Sequence, residues 1–125
     1  MILNTRSTNN LIGVHPDLVK VVKLAALNAE LEFIVTEGKR TLARQTELYK
    51  ARATRTMNSR HLTGHAVDLA AMLGGEIRWD FPLYDRLAHQ MKAAAAALEV
   101  PIQWGGDWTS FKDGPHFELT WAAYP

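Results

Sequence analysis

The stretch Ser59-Arg60-His61-Leu62-Thr63-Gly64-His65-Ala66-Val67-Asp68 sets two side chains able to bind a metal, His61 and Asp68, on either side of a glycine. Gly64 can take backbone angles closed to other residues, so it marks the point where an irregular loop carrying His61 turns into a strand. Side chains alternate along an extended chain. Ala66, Asp68 and Ala70 therefore share one face, and His65, Val67 and Leu69 the other. Asp68 belongs to a face kept small beside it, where an acid is costly to bury unless paired, hydrogen-bonded or bound to metal. A helical reading would pair His61 with His65 as zinc ligands, but Gly64 disfavours the helix and the glutamate of an H-E-x-x-H motif is missing.

The elements that must position these residues come from a chain of 125 residues, the size of one domain with a real core. Its 47% apolar and 22% charged residues are ordinary for a globular protein. A formal net charge of +1 advertises neither nucleic acid nor an anionic membrane as partner. Lys50, Arg52, Arg55 and Arg60 form a mild basic cluster, read as a solvated loop. With no cysteine, disulfides, thiolate metal sites and a cysteine nucleophile are excluded, and any zinc must be held by histidine and carboxylate. The amino terminus has no long apolar core or small-residue cleavage site, so the expectation is a protein made in the cytoplasm, without a signal peptide and without membrane insertion.

Pro16 suits the first turn of a helix over residues 16 to about 29, with Leu18, Val21, Val22, Ala25 and Ala29 at helical spacing and His15 at the surface or capping. Leu31 to Thr36 alternates as a strand that stops at Gly38. Thr41 caps a helix from Leu42 to Arg52, with Leu42, Gln45, Leu48 and Tyr49 at 3/4 spacing, which leaves Arg40 at a strand–helix junction. The strand carrying Asp68 runs to about Met72, and Ile77-Arg78-Trp79 is a short strand after the Gly74-Gly75 turn. Asp80 and Pro82 start the longest helix, to about Leu98, with Leu83, Leu87, Met91, Ala94 and Leu98 facing inward and His89 exposed. Ile102-Gln103-Trp104 begins another strand, Asp107 to Phe111 is an aromatic-bearing loop, and Pro115 to Leu119 closes the sheet with His116 and Glu118 on one face. The expected fold is α+β, a small antiparallel or mixed sheet with about three helices packed against it in a single domain.

Ser59-x-His61-x-x-Gly64-x-Ala66-x-Asp68, followed by Asp113-x-x-His116-x-Glu118, resembles the signature of the zinc peptidases that include D-Ala-D-Ala carboxypeptidases, vancomycin-resistance dipeptidases and phage L-alanyl-D-glutamate endopeptidases. Gly38-x-Arg40-Thr41-x-x-x-Gln45-x-x-Leu48-Tyr49 resembles the family's upstream arginine element, and Trp104-Gly105-Gly106-Asp107-Trp108 its tryptophan-glycine segment in phage lysins. The resemblance implies a hedgehog/DD-peptidase-like fold, one Zn2+ held by His61, Asp68 and His116, Asp113 as general base, and Arg40 stabilising the substrate carbonyl as it becomes an oxyanion. Two imidazoles, a carboxylate and a water suit hydrolytic zinc, although such ligands also accept manganese or cobalt. Spacing alone does not choose between Asp113 and Glu118 as base; the family pattern favours Asp113 and makes Glu118 the group that orients a ligand imidazole. Ser59 would bind substrate or hold the His61 loop, Gln45 would support the site from its helix, and Trp104 and Trp108 would wall the cleft or plug the core.

Among the family's branches the chain is most similar to phage endolysins. That implies hydrolysis of the L-alanyl-D-glutamate bond in peptidoglycan stem peptides by a monomer without a separate wall-binding domain. Such a protein waits in the host cytoplasm until a separate pore-forming protein gives access to the periplasm and cell wall. The alternatives are a D-Ala-D-Ala carboxypeptidase or dipeptidase on the same site, and a zinc-containing binding module without turnover.

Overall fold

The strand that begins just after Gly64 is the centre of the sheet. In the computed structural model, which describes residues 1–54 and 56–125, the elements are α1 (Thr5–Asn10), α2 (Pro16–Leu27), β1 (Glu32–Glu37), α3 (Leu42–Lys50), a 3-10 turn (Arg60–Thr63), β2 (Ala66–Leu73), β3 (Glu76–Arg78), α4 (Phe81–Leu98), β4 (Ile102–Trp104), a second 3-10 turn (Gly105–Asp107) and β5 (His116–Leu119). The sheet order is β1-β2-β5-β4, with β3 also on β2, and every pairing is antiparallel. Of the two expected sheet types, the antiparallel one is found.

Two registers position the site. Asp68 on β2 lies opposite His116 on β5, and Glu37 at the end of β1 lies opposite Asp68 across an irregularity after Val35. Strand alternation then separates two faces. Val67, Leu69, Phe117 and Leu119 turn into a core shared with Leu18, Val21 and Val22 of α2 and Leu87 and Met91 of α4, all fully buried. Asp68, His116 and Glu118 turn the other way.

Among the described residues four α-helices form, against the about three expected. The extra one, α1, has no apolar stripe to betray it in the sequence. It is capped by Asn4, whose side chain accepts from the Ser7 amide at 2.8 Å, and it is held by polar contacts to the outer strand. Buried Ser7 accepts from the Val35 amide at 2.9 Å, and the Asn10 amide side chain donates to the Val35 carbonyl at 2.8 Å. These side chains satisfy the strand edge where a neighbouring strand would. The apolar stripe expected on α3 is not buried: Leu42 and Tyr49 are exposed, and Gln45 is the helix's buried residue. On α4, Leu98 is exposed and Tyr84 takes the core position, because 3.6-residue periodicity carries the inward face through Tyr84, Leu87, Ala88, Met91, Ala94 and Ala95. Among the described residues no helix is long and apolar enough to cross a membrane.

Tyr84 also joins α4 to the sheet, accepting from the Ala71 amide at 3.2 Å and donating to the Arg78 carbonyl at 2.8 Å. Removing that hydroxyl strands a buried amide. Tyr84→Phe is expected to lower unfolding free energy by about 1–3 kcal/mol, measured by urea titration, with the denaturant slope unchanged.

Candidate metal centre and active-site cleft

His61 is fixed before it meets anything metallic. Its 3-10 turn is capped by Ser59, whose hydroxyl accepts from the His61 amide at 3.2 Å. Gly64 ends the turn with φ +76°, and a side chain there would run into the Gly13 carbonyl. The His61 carbonyl accepts from the Arg40 amide at 2.8 Å, and ring Nδ1 lies 2.8 Å from the Gly38 carbonyl. A carbonyl can only accept, so Nδ1 carries the proton and Nε2 presents a lone pair. That lone pair points at Asp68 Oδ1, 3.1 Å away.

His116 repeats the pattern with its nitrogens exchanged. Its Nε2 donates to Glu118 Oε1 at 2.8 Å, leaving Nδ1 to face the same Asp68 Oδ1 at 3.3 Å. Two neutral imidazoles and a carboxylate oxygen thus aim lone pairs at one another, an arrangement that repels unless a proton or a cation lies between them. Metal–ligand bonds of 2.0–2.1 Å in a tetrahedron separate neighbouring ligand atoms by about 3.3 Å, close to the two distances found. The three donor atoms lie within 4.8 Å of one another. His61, Asp68 and His116 therefore make a cluster that fits a metal ion. Any His61–His65 pairing is overturned: residues 60–63 form a 3-10 turn and Gly64 reverses the chain, so His65 faces the Thr63 hydroxyl at 2.6 Å.

Electrostatics in the metal-free cluster follow from this crowding. Burial alone would raise Asp68, but the His61 charge and hydrogen bonds from His116 and His61 hold its carboxyl well below the usual carboxylate range. Burial alone would lower His116; the hydrogen bonds to Asp68 and Glu118 outweigh it and push the imidazole up to about 9. Asp113 is raised by burial and by the Asp68 charge, against the pull of His116, His61 and Arg40. Its backbone is set by the second 3-10 turn: the Asp113 amide donates to the Gly105 carbonyl at 3.0 Å, and the Trp104 indole donates to the Gly114 carbonyl at 2.6 Å. Gly105 packs so closely that any side chain there would strike the Asp113 carbonyl.

The model of the phage L-alanyl-D-glutamate peptidase family matches residues 1–120. The chain belongs to that family. The crystal structure of the Serratia marcescens L-Ala D-Glu endopeptidase ChiX superposes with a TM-score of 0.92 at 47% identity, covering 97% of this chain and 91% of that one. The peptidoglycan L-alanyl-D-glutamate endopeptidase CwlK of Bacillus subtilis is 35% identical over 112 residues, 78% of this chain, and the match spans 66% of that protein's length. The vancomycin-resistance D,D-dipeptidase VanXYg, at 23% identity and a TM-score of 0.56 over 85% of this chain and 50% of its own, shares the fold.

In this phage-type peptidase family member the cluster opens into a cleft of about 570 Å³ lined by Arg40, Ser59, Asp113, Trp108 and Glu118 among others. Arg40 is buried and gripped: Nε and Nη2 donate to the two Glu37 oxygens at 2.7 and 2.8 Å, Nη1 donates to Gln45 Oε1 at 2.7 Å, and Nη2 lies 3.6 Å from Asp68 Oδ2. Trp108 tilts over the His116 ring at 5.1 Å. Trp104 is a core residue and does not line the cleft. His15 caps α2, accepting from the Asp17 amide at 3.1 Å, and His89 is exposed. Arg60 departs from the solvated loop expected of it: it is 4% exposed, whereas Lys50 and Arg52 are exposed as expected and Arg55 lies outside the described residues. Glu37, Trp79 and Trp121 also line the cleft and were not singled out from the sequence. Of these, Glu37 left a signal, the i, i+3 spacing of an acid before Arg40.

An imidazole must be neutral to ligate, so a metal ion entering this cluster would compete with the proton on His116. Its raised value means that the protonated pairing stabilises the metal-free fold fully below about pH 6.5 and is lost as pH rises through about 9. Apparent zinc affinity is expected to climb with pH from 7 to about 9, by up to about tenfold per unit, with proton release measurable in calorimetry across buffers. A flat affinity over that range contradicts the assignment.

Proposed function

We propose that this chain is a zinc-dependent endopeptidase of the endolysin type that hydrolyses the L-alanyl-D-glutamate bond of peptidoglycan stem peptides. The observation that carries the reading is the convergence of three lone pairs beside a carboxyl, Asp113, that makes no side-chain hydrogen bond among the described residues and lines an open cleft. His61 through Nε2, Asp68 through Oδ1 and His116 through Nδ1 would hold one zinc ion. When bound, that ion supplies Lewis acidity, making water a nucleophile near neutral pH and polarising the scissile carbonyl.

The remaining work falls to the chain's own side chains. Asp113 accepts the proton of the attacking water and returns it to the leaving amine, a task helped by a carboxyl raised toward the working pH. Glu118 is the poorer base, since it is buried and its Oε1 is engaged by His116 at 2.8 Å; it orients that imidazole. Arg40, locked by Glu37 and Gln45, holds a fixed positive charge beside Asp68 and donates to the substrate carbonyl as negative charge develops. Ser59 holds the His61 turn, and Trp108 walls the cleft beside His116. The protein acts as a monomeric catalytic domain on the wall, after a separate pore-forming protein has let it out of the host cytoplasm.

Digestion of purified peptidoglycan by the zinc-loaded protein is expected to expose new D-glutamate amino termini, to stop with a chelator and to resume with zinc. Release of D-alanine without those termini would indicate the carboxypeptidase or dipeptidase instead. Bound zinc with no hydrolysis of any wall preparation would indicate a binding module.

A further inference from the structure

The cleft has two chemically different ends, and strand register orders them. Along β5, His116 stands opposite Asp68 and Glu118 opposite Ala66, and the chain then runs past Leu119 to Trp121. In the other direction lie Pro115, whose carbonyl accepts from the Leu69 amide, and then Asp113. The backbone bonds Leu69–Pro115 and Leu119–His65 mark the two ends of β5, and Asp113 precedes one end while Trp121 follows the other. If Asp113 returns the proton to the leaving amine, as proposed above and on which this inference rests, the amine half of the substrate lies at the Asp113 end. The acyl half then points toward Trp121. For a bond between L-alanine and D-glutamate, that acyl half is one alanine residue joined through a lactyl group to the muramyl sugar.

Trp121 is built to meet such a ring. It is 51% exposed and lines the cleft, and its ring lies against Arg60, whose guanidinium carbon is 4.0 Å from the indole centroid. Arg60 in turn is buried and makes no ion pair with a carboxylate among the described residues; its Nη2 donates to the Leu119 carbonyl at 3.1 Å and to those of Thr120 and Tyr124. A buried cation is thereby spent on fixing a short tail and bracing one aromatic ring. Trp121 falls just beyond the residues matched to the family, so membership alone does not foretell it.

We propose that Trp121, braced by Arg60, is the platform on which the muramyl sugar of the substrate packs its apolar face at the acyl end of the cleft. The test compares kcat/KM of the zinc enzyme on a disaccharide-linked stem peptide with that on the same peptide N-acetylated and sugar-free. In Trp121→Ala the ratio of the two is expected to fall about tenfold, chiefly through KM for the sugar-bearing substrate, and Trp121→Phe is expected to restore most of it. An equal loss on both substrates, or an unchanged ratio, overturns the proposal. Independently of turnover, titrating the zinc protein with the muramyl disaccharide is expected to shift one indole N–H resonance that is missing in Trp121→Ala. No such shift overturns the platform, whereas hydrolysis of neither substrate by wild type overturns the endopeptidase reading and leaves the titration to decide the platform.

Discussion

One carboxylate oxygen, Asp68 Oδ1, governs the site. It faces two imidazole nitrogens at 3.1 and 3.3 Å, and each ring has its other nitrogen committed elsewhere, to the Gly38 carbonyl and to Glu118. With those outer nitrogens committed, the atoms facing Asp68 are reconciled only by a cation between them, either a second proton on His116, whose imidazole is pushed up to about 9, or a metal ion. The cluster is therefore held in a form that wants a cation. The fold supplies this at small expense in sequence: a turn capped by Ser59 and Gly64, one antiparallel register, and a strand face kept small by Ala66 and Ala70.

Charge is balanced around that oxygen. Arg40 reaches toward Asp68 Oδ2, yet most of its donors are spent on Glu37 and Gln45, so it is held in place as a rigid charge. Glu118 is kept buried by its bond to His116, whereas Asp113 lines the cleft with no side-chain hydrogen bond among the described residues. Asp68, Glu118 and Asp113 thus take three environments, which is the physical basis for the separate roles proposed for them.

The fold was legible where periodicity reports burial. The β2 alternation, the long α4 and the Pro16 start of α2 all follow from spacing and termini. What escaped was held by polar contacts that no period encodes: α1 through Ser7 and Asn10, and the inward face of α3, a helix legible from its Thr41 cap but anchored by Gln45 and not by its apolar residues. In the same way, His61 and Asp68 could be read as a pair across a glycine turn, whereas His116 lies 48 residues on from Asp68 and is brought in by strand pairing. Arg60 misled because a basic loop residue usually stays in water; here three backbone carbonyls and an indole replace that water.

The central claim is that Asp113 moves the proton while His61, Asp68 and His116 hold the metal. The most direct measurement is wall hydrolysis by wild type and Asp113→Ala side by side, each with its bound zinc quantified. The variant is expected to keep wild-type zinc and lose hydrolysis by about 100-fold or more. Normal hydrolysis by a zinc-loaded Asp113→Ala protein would contradict it and move the proton transfer to Glu118 or another group.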